Sequence, residues 1–429
     1  MDEMEIEGME KKAKVPKLRF PGFAGEWESK KLGDIVSKNI SNGIMNRPGK
    51  NELLVKDINV VNMYTPDKIH IDDLEYFDAT EKDVQKCDVT VGDVFLTRSS
   101  LKAEGIAEPN VLLDPGNFVF DDHLMQLKLK QKYCPHFVKV LLETRAVKKQ
   151  FIAKSKTATM TTIGQEDIIS CIVCLPEIDE QDQISAFFIE MDNLIILYQR
   201  KLTHLQAKKK CLLQKMFPKK GERFPELRFP GFDGDWEQRT FDDLAEYKKG
   251  PFGSALKKDI FVSKNEFTIK VYEQQNAINK DWKLERYFIT SDYARKMKSF
   301  EVNPGDIIVS CAGTIGEIYE LPKESEPGII NQALMRVQVK EDVVEKQLFI
   351  YLFSNMIDFF TAVHSNGSAI KNIPPLADLK PYLVSIPSRE EQKMLFVFFT
   401  NLDNLITLHE RKLAHLQTQK KALLQQMFV

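Results

Sequence analysis

The sequence lacks the extremes of hydropathy and charge that assign many proteins to a class at once. No apolar stretch approaches the ~18 to 20 uncharged residues that a membrane-spanning helix needs, and the acidic residues 1–10 do not resemble a secretory signal. The formal net charge is only -2, from 60 Lys and Arg against 62 Asp and Glu, so bulk charge does not indicate a nucleic-acid partner. These features predict a globular cytoplasmic protein with no membrane partner, in which any DNA-binding surface is local.

Cysteines are few, and the common catalytic motifs are missing. Six cysteines in 429 residues do not make a disulfide framework, which fits a reducing compartment. There is no G-x-x-x-x-G-K-[ST], no G-x-G-x-x-G after a strand and no H-E-x-x-H. The pair Cys171 and Cys174 has no second pair at zinc-ligand spacing. The sequence therefore predicts no catalytic site, no metal and no cofactor.

The chain does contain an internal repeat. Residues 18–28, which read L-R-F-P-G-F followed by G-E-W-E, return as residues 227–237, and residues 180–217 return as residues 391–428. Between these similar blocks the two halves diverge. Two interpretations are open: the modules have drifted since an old duplication, or each module recognises something different.

The second repeated block predicts a long helix with one apolar seam, because apolar residues recur in steps of three and four. Each helix begins after a proline and acidic residues and ends in basic ones, which suits the helix dipole. Two copies related by a two-fold axis would bury their seams by lying antiparallel. The predicted seam consists of Ile184, Phe188, Met191, Ile195, Leu202, Leu205, Leu395, Phe399, Leu402, Ile406, Leu413 and Leu416.

One basic residue interrupts each seam at an equivalent position, Lys209 in the first helix and Lys420 in the second. A lysine in a seam weakens its packing and fixes the register or the choice of partner. Alternatively, its aliphatic stem lies along the surface with the amine in water. The sequence leaves both interpretations open.

The divergent regions, residues 30–175 and 239–386, show short strand patterns separated by turn signals and helices, which predicts the α+β class. The predicted strands are residues 58–61, 94–97, 168–175, 267–272, 307–310 and 383–386, and the predicted helices include residues 135–152 and 344–361.

Local charge is more informative than the total. Residues 145–165 carry five basic side chains and no acid, and lysines bracket the acid-free loop 250–254. Another loop, residues 364–372, is rich in Gly, Ser, Asn and Lys. Lysines and small donors suit phosphate contacts, whereas Arg, Asn and Gln can pair with base edges. For each segment an ordinary solvated loop is the alternative.

The order of variable module, long helix, variable module and long helix resembles the specificity subunit of bacterial type I restriction-modification enzymes. The resemblance covers the chain after about residue 16. It rests on the L-R-F-P-G-F opening with Trp27 and Glu28, the K-L-G-D-I of residues 31–35, a Gly-Asp-aliphatic strand, the Pro-to-Glu-Gln junctions, and the Asp-Asn-Leu-Ile and Arg-Lys-Leu helix cores.

This resemblance implies two similar α+β target recognition domains in tandem, each followed by a long helix, with the helices forming an antiparallel coiled-coil spacer. It implies a bipartite double-stranded DNA target, two methylation subunits docked on the helices, and restriction subunits in the full complex. Cofactors and catalysis would belong to those partners. The implied domains are a flexible N-terminal tail (1–15), the first recognition domain (16–175), the central spacer helix (176–217), a linker (218–226), the second recognition domain (227–386) and the distal spacer helix (387–429).

The predicted DNA-binding residues are Asn46, Arg47, Arg98, Lys154 and Lys156 in the first module and Lys249, Ser254, Lys257, Ser368 and Lys371 in the second. The first module lacks the G-P-F-G-S loop of the second and carries S-N-G-I-M-N-R at residues 41–47 instead. Two other functions are alternatives: a duplicated scaffold whose modules bind proteins and whose helices dimerise, and an enzyme with an unrecognised site.

Overall fold

The computed structural model describes residues 14–219, 221–364 and 373–429. The chain divides into two compact units: the first comprises the chain up to Thr203 together with Thr407–Val429, and the second comprises His204–Ile406. Each unit therefore contains one variable module, the beginning of the long helix that follows it and the end of the other long helix. Among the described residues, no helix combines the length and the apolar character required to cross a membrane.

The elements before the first long helix are short. They are β1 (Glu28–Lys31), α1 (Leu32–Ile35), β2 (Ser41–Asn42), β3 (Lys56–Ile58), β4 (Glu75–Tyr76), α2 (Glu81–Cys87), β5 (Val94–Thr97), β6 (Ser99–Ser100), β7 (Pro109–Val111), β8 (Phe118–Phe120), β9 (Leu124–Leu127), α3 (Pro135–Glu143), α4 (Arg145–Lys154), β10 (Lys156–Thr157), β11 (Thr161–Thr162), α5 (Gln165–Ile169) and β12 (Ile172–Leu175).

The long helix α6 (Ile178–Met216) leads to the second module. That module contains β13 (Glu237–Thr240), α7 (Phe241–Leu244), β14 (Ala245–Lys249), β15 (Thr268–Tyr272), α8 (Gln274–Ile278), β16 (Tyr287–Thr290), α9 (Ser291–Lys296), β17 (Glu301–Val302), β18 (Ile307–Ser310), β19 (Ile318–Glu320), β20 (Gly328–Ile330), β21 (Leu334–Val339), α10 (Lys346–His364), α11 (Leu376–Leu379) and β22 (Leu383–Ile386), and the long helix α12 (Arg389–Met427) follows.

The two modules share one sheet topology although their sequences diverge. The first has an antiparallel sheet of order β2-β9-β5-β7, and the second has the corresponding order β14-β21-β18-β19. A second sheet pairs β3 with β8 in parallel in the first module and β15 with β20 in parallel in the second. The strands β1 and β12 close the first module, as β13 and β22 close the second. The predicted α+β class is confirmed for both modules.

The predicted strands 94–97, 307–310 and 383–386 coincide with β5, β18 and β22. The predicted strand 58–61 is wrong beyond Ile58, because the Asn59 side chain accepts a hydrogen bond from the Val61 N–H and starts a 3-10 helix, Val60–Tyr64. The predicted helix 135–152 is two helices, interrupted at Thr144, where the backbone is extended. The predicted strand 168–175 begins only at Ile172, because Ile168 and Ile169 belong to the helix α5. Hydrophobic periodicity does not report such local interruptions, two of which involve hydrogen bonds between a side chain and the N-terminus of a helix.

The long helices α6 and α12 each contain 39 residues, which corresponds to roughly 58 Å of helix. In the first unit, Phe188 near the start of α6 lies against Phe428 at the end of α12. In the second unit, Phe217 at the end of α6 lies against Phe399 near the start of α12. Within each unit the two helix segments therefore run antiparallel, as predicted. All twelve predicted seam residues are buried or half-buried.

The lysines of the seam pair with the aspartates of the repeated Asp-Asn-Leu-Ile motif. In the first unit the Lys420 Nζ lies 2.7 Å from the Asp192 Oδ1. In the second unit Lys209 forms the equivalent pair with Asp403. The side chains of Asp192 and Lys420 are 0% and 13% exposed, whereas those of Asp403 and Lys209 are 51% and 30% exposed. The repeat thus places the same ion pair in a buried environment in one unit and near water in the other.

The arginine of each repeated L-R-F-P-G-F segment binds a glutamate in the first turn of a long helix. The Arg19 Nε and Nη2 both donate to the Glu180 carboxylate at 2.7 Å. The Arg228 Nε and Nη2 bind the Glu391 carboxylate in the same way, at 2.8 and 2.7 Å. Both carboxylates are buried. Bidentate pairing fixes orientation as well as distance, so the segment sets the direction in which each helix leaves its module.

The glutamine that follows each of these glutamates joins the long helix to a helix of the module. The Gln181 Nε2 donates to the Pro176 carbonyl at 3.0 Å, and its Oε1 accepts from the Cys134 N–H just before α3. The Gln392 Oε1 likewise accepts from the Glu345 N–H, 2.8 Å away, just before α10. The Glu-Gln pair of the repeat is therefore the joint between module and helix.

Candidate functional site

Strand pairing defines equivalent positions in the two modules. Asn42 at the end of β2 pairs with Met125, and Lys249 at the end of β14 pairs with Met335. The two methionines belong to the Leu-Met dipeptide that survives in both halves. Asn42 and Lys249 are consequently equivalent. We call the surface formed by the residues after β2, β5 and β8, and by those after β14, β18 and β20, the reading edge of each module.

A glycine with no room for a side chain begins each reading edge. A Cβ on Gly43 would lie 2.0 Å from the Phe120 carbonyl oxygen, and a Cβ on Gly250 would lie 1.8 Å from that of Asn331. The Gly250 N–H donates to the Leu334 carbonyl at 2.8 Å. In both modules glycine allows the chain to leave its strand in close contact with the neighbouring turn.

The backbone at the other side of the reading edge is also equivalent. The Arg98 N–H, which follows β5, donates to the His123 carbonyl at 2.8 Å, and its carbonyl accepts from the Ile163 N–H. After β18 the Cys311 N–H donates to the Ala333 carbonyl at 2.8 Å, and its carbonyl accepts from the Ile373 N–H. An exposed guanidinium in one module thus occupies the position of a buried thiol in the other.

Arg98 and Lys156 are brought together by a small sheet of order β10-β11-β6. Lys156 pairs with Thr162, which pairs with Ser99, the neighbour of Arg98. The Arg98 guanidinium is exposed, and its Nη1 donates to the Asp122 carbonyl oxygen at 3.5 Å. Lys156 therefore lies in line with the Thr162 and Ser99 hydroxyl groups, and Arg98 is the next residue of the chain. Cations and hydroxyl groups suit phosphate contacts.

Arg47 lies in a different environment from Arg98. Its Nη2 is 2.5 Å from the Asp83 Oδ2, and its guanidinium lies over the Phe77 ring. Hydrogen bonds from the Thr80 backbone and hydroxyl, assisted by Arg47, lower the pKa of Asp83 to about 2. The charge of Arg47 is thus shared with a carboxylate at the start of α2. Asn46, beside it, is exposed.

Four of the predicted DNA-binding residues are lysines that form no ion pair with a carboxylate of the described residues. Lys156 and Lys257 are exposed, Lys154 and Lys249 are half-exposed, and none of the four pairs with an acid anywhere in the described parts of the chain. Burial raises the pKa of the Cys311 thiol to about 12, while the nearby Lys249 opposes that rise. Ser254 is exposed in a 3-10 turn, Gly253–Ala255. The predicted residues Ser368 and Lys371 lie outside the described residues.

An acidic turn borders Arg98 in the first module. The His123 Nδ1 is 2.6 Å from the Asp121 Oδ1 and 3.1 Å from the Asp122 Oδ1. The first of these contacts is a hydrogen bond, which holds the His123 ring against the Asp121 carboxylate. The equivalent turn of the second module, residues 331–333, contains Asn, Gln and Ala and carries no charge. The two reading edges therefore differ in charge as well as in side-chain type.

Several residues of the reading edge were not predicted from the sequence. The Gln165 Nε2 donates to the Asn42 Oδ1 at 3.1 Å, so a second amide side chain, from the start of α5, joins Asn42 at this edge. Met45 and Phe252 follow the two glycines at equivalent positions and are exposed. Gly43 is the one feature of the sequence that could have pointed to these residues. Its equivalence to Gly250 depends on strand pairing, which the sequence does not display.

A family model matches most of the chain. The model, described as the type I restriction modification DNA specificity domain, matches twice, at residues 24–207 and 233–418. Two proteins of Methanocaldococcus jannaschii are similar to the chain. The type I restriction enzyme MjaVIII specificity subunit is 22% identical over 346 residues, 78% of this chain and 74% of that protein. The putative type I restriction enzyme MjaX specificity subunit is 23% identical over 418 residues, 93% of this chain and 92% of that protein.

Solved structures share the fold. The S subunit of a type I restriction-modification system from M. genitalium aligns with a TM-score of 0.56 at 12% identity, covering 97% of this chain and 99% of that one. A chain from a study of complex assembly and conformational transition in a type I system aligns with a TM-score of 0.56 at 15% identity, covering 96% and 99%.

Proposed function

Because the chain belongs to the family of type I restriction modification DNA specificity domains, we propose that it recognises a bipartite double-stranded DNA sequence, one half through each module. This family binds DNA and assembles with other subunits of type I systems. It supplies specificity and is not catalytic. Methyl transfer, ATP-driven translocation and cleavage are therefore assigned to partner subunits. Such a subunit works in the cytoplasm, where the DNA of bacteria and archaea lies.

One observation carries this proposal: the two modules present different side chains on equivalent backbone. Asn42 in the first module corresponds to Lys249 in the second, and Arg98 corresponds to Cys311. A shared scaffold with exchanged side chains is what two readers of different base sequences require, because base identity is read through side-chain donors, acceptors and apolar contacts. Cations with no ion pair among the described residues lie at both edges, and such side chains suit phosphate contacts.

The proposed domains keep the boundaries predicted from the sequence. The recognition domains are residues 16–175 and 227–386, joined by the linker 218–226, and the spacer helices are residues 176–217 and 387–429. The proposed DNA contacts are the ten predicted residues, to which Asn42 and Gln165 are added because Asn42 is the counterpart of Lys249 and Gln165 is hydrogen-bonded to it. The length of the spacer would set the number of unread base pairs between the half-sites.

The full chain reconstituted with its methylation subunits tests this proposal. Genome-wide sequencing of methylated adenine, with and without the chain, defines the two half-sites and their gap. Duplexes carrying that sequence should bind more tightly than scrambled duplexes of the same length at moderate salt. Equal affinity for both would contradict the proposal. A concentration-dependent dimer that shifts no DNA would instead support a scaffold that binds proteins.

Removing a predicted phosphate lysine should weaken binding to all sequences alike. We expect Lys156→Ala and Lys257→Ala each to reduce the slope of log affinity against log salt by about 1, because one phosphate contact is lost. The matched controls are Lys38→Ala and Lys264→Ala, since both lysines are exposed but already paired with carboxylates. Electrophoretic shift titrations at several salt concentrations measure the slope. Unchanged slopes for Lys156 and Lys257 would remove these residues from the interface.

Equivalent leucines are exposed on the two long helices, and we propose that each pair is a docking surface for one methylation subunit. Leu194 and Leu197 on α6 correspond by the repeat to Leu405 and Leu408 on α12, and all four are exposed. A surface that occurs twice at the same helical positions fits two copies of one partner. Restriction subunits would join through the methylation subunits.

Charge placed on either leucine pair should reduce the number of bound methylation subunits. We expect Leu197→Asp and Leu408→Asp each to leave one subunit bound instead of two, and the double variant to bind none, because an aspartate must be desolvated in an apolar contact. Light scattering of the purified complex measures its mass. The control is Gln199→Asp, an exposed polar position on α6. Two subunits bound to the double variant would contradict this assignment.

A further inference from the structure

Each reading edge carries one apolar side chain that projects into water at the same position. Met45 is 77% exposed and Phe252 is 90% exposed. Single exposed apolar residues are common on protein surfaces. These two, however, occupy equivalent places in two modules whose sequences have otherwise diverged, each two residues after a glycine that strand pairing makes equivalent.

The backbone holds both side chains outward. In each module the residue between the glycine and the exposed side chain is buried: Ile44 in the first and Pro251 in the second. The Ile44 N–H donates to the Phe120 carbonyl at 2.8 Å, and its carbonyl accepts from the Asp122 N–H. The exposed residue that follows is therefore anchored on its N-terminal side by both packing and hydrogen bonds.

The loop of the second module is also anchored after the exposed residue. The Phe252 carbonyl accepts from the Ala255 N–H at 2.8 Å, and Leu256 is buried in a core cluster. Between these anchors, a Cβ added to Gly253 would meet no atom within 4 Å. Residues 252 and 253, the tip of this loop, are therefore surrounded by solvent. Phe252 is presented in open space by a loop whose two ends are held.

The residues around the tips have the composition of a nucleic-acid contact. Lys249 and Lys257 flank Phe252 along the chain, and neither is neutralised by an acid of the described chain. Asn42 and Asn46 flank Met45. Cations engage phosphates, whereas apolar side chains engage thymine methyl groups or the faces of bases.

We propose that Met45 and Phe252 are the apolar base contacts of the two modules, each inserted into the DNA against an apolar base surface of its own half-site. This inference rests on the proposed function. The surface contacted is a thymine methyl group or the face of a base exposed by partial unstacking. A flat ring in one module and a flexible thioether in the other suit different base steps, in agreement with two different half-sites.

The test uses the full chain with its methylation subunits and compares Phe252→Ala and Met45→Ala with the wild type. Each variant should lose roughly tenfold to a hundredfold in affinity for the cognate duplex, and retain wild-type affinity for a scrambled duplex. Scrambling the half-site that the altered module reads should abolish the difference from wild type, whereas scrambling the other half-site should leave it.

Two matched controls separate a tip contact from general surface hydrophobicity. Phe267 is exposed just before β15, whereas the reading edge adjoins the opposite end of that strand, where the Tyr272 carbonyl accepts from the Asn331 N–H. Val91 is exposed just before β5, whose opposite end leads to Arg98. We expect Phe267→Ala and Val91→Ala to change affinity by less than about twofold, because neither side chain lies at the reading edge.

Two DNA modifications distinguish the base surfaces. If a thymine methyl group is contacted, replacing that thymine with uracil should lower the affinity of the wild type as much as the alanine substitution does. The same replacement should not lower the affinity of the alanine variant further. If a base step is opened, 2-aminopurine in that step should brighten on binding wild type and not the variant. Variants that bind the cognate duplex like wild type, or that lose equally on scrambled DNA, overturn the inference. A wild type that does not discriminate between cognate and scrambled duplexes overturns the proposed function instead.

Discussion

Replacing Gly250 with alanine is expected to destabilise the second module by about 3 kcal/mol or more. The new methyl group would lie 1.8 Å from the Asn331 carbonyl oxygen and 2.6 Å from its carbonyl carbon. Both atoms belong to the backbone, so no flexible side chain can move aside. The strand pairing of β14 with β21 would have to open at Lys249 and Met335 to make room.

Gly253→Ala, three residues further along the same loop, is the matched control. Nothing lies within 4 Å of its Cβ position, and its backbone does not require a positive φ. We expect this variant to be neutral or more stable by up to about 1 kcal/mol, because alanine restricts the unfolded chain. Hydrogen exchange of β14 and β21 in increasing urea measures the local stability. Equal protection of these strands in the two variants would contradict the close approach at Gly250.

Replacing Lys420 with methionine is expected to destabilise the first unit by about 3 kcal/mol, because it leaves a buried carboxylate without its partner. The Asp192 side chain is buried, and its Oδ1 is bound by the Lys420 Nζ at 2.7 Å. Its Oδ2 has no hydrogen-bond partner among the described residues. The lysine therefore supplies the principal compensation for this charge.

Lys209→Met removes the equivalent lysine in the second unit and should cost less than about 1 kcal/mol, since Asp403 is half exposed and water replaces the lysine. The two variants alter the same position of the repeat, so their difference isolates burial. Chemical denaturation of each variant gives the comparison. Similar losses in both would show that burial of the pair is unimportant.

The loss in Lys420→Met should also depend on pH. Burial already raises the pKa of Asp192, while Lys420 opposes that rise. Without the lysine, the folded-state pKa moves further above the unfolded one. An acid with a raised folded-state pKa loses stability as pH rises from its unfolded pKa through its folded pKa. The difference from wild type should therefore shrink toward pH 4, and Asp192→Asn added to Lys420→Met should recover most of the loss at neutral pH.

The asymmetry of this ion pair has a structural reason. In the first unit the pair lies beside α3, where Lys139 binds Glu143 and the Pro66 carbonyl. The Lys420 Nζ is also 3.8 Å from the Glu143 carboxylate. These charges form one network around Asp192. The same ion pair therefore occurs in both copies of the repeat, whereas its burial depends on the charges and side chains of the neighbouring module.

Features that depend on residues close in the chain were predicted well from the sequence. The two long helices follow from a seam with steps of three and four, and the start of each helix follows from a proline and acidic residues. The strands β5 and β18 follow from short apolar runs after Gly-Asp. These patterns are local because helix and strand periods act over a few residues. The number of modules follows from the repeat itself.

Features that depend on contacts between distant residues were decided by the tertiary structure alone. The sequence does not show that Gly43 corresponds to Gly250, because this equivalence arises from pairing with Met125 and Met335. Nor does it show that Arg98 occupies the place of Cys311. Strand register is set by packing and by turns elsewhere in the chain, and a shift of one residue exchanges the two faces of a strand. The sequence by itself therefore determined the repeated helices and the number of modules, while the tertiary structure decided which side chains meet at each reading edge and which ion pair is buried.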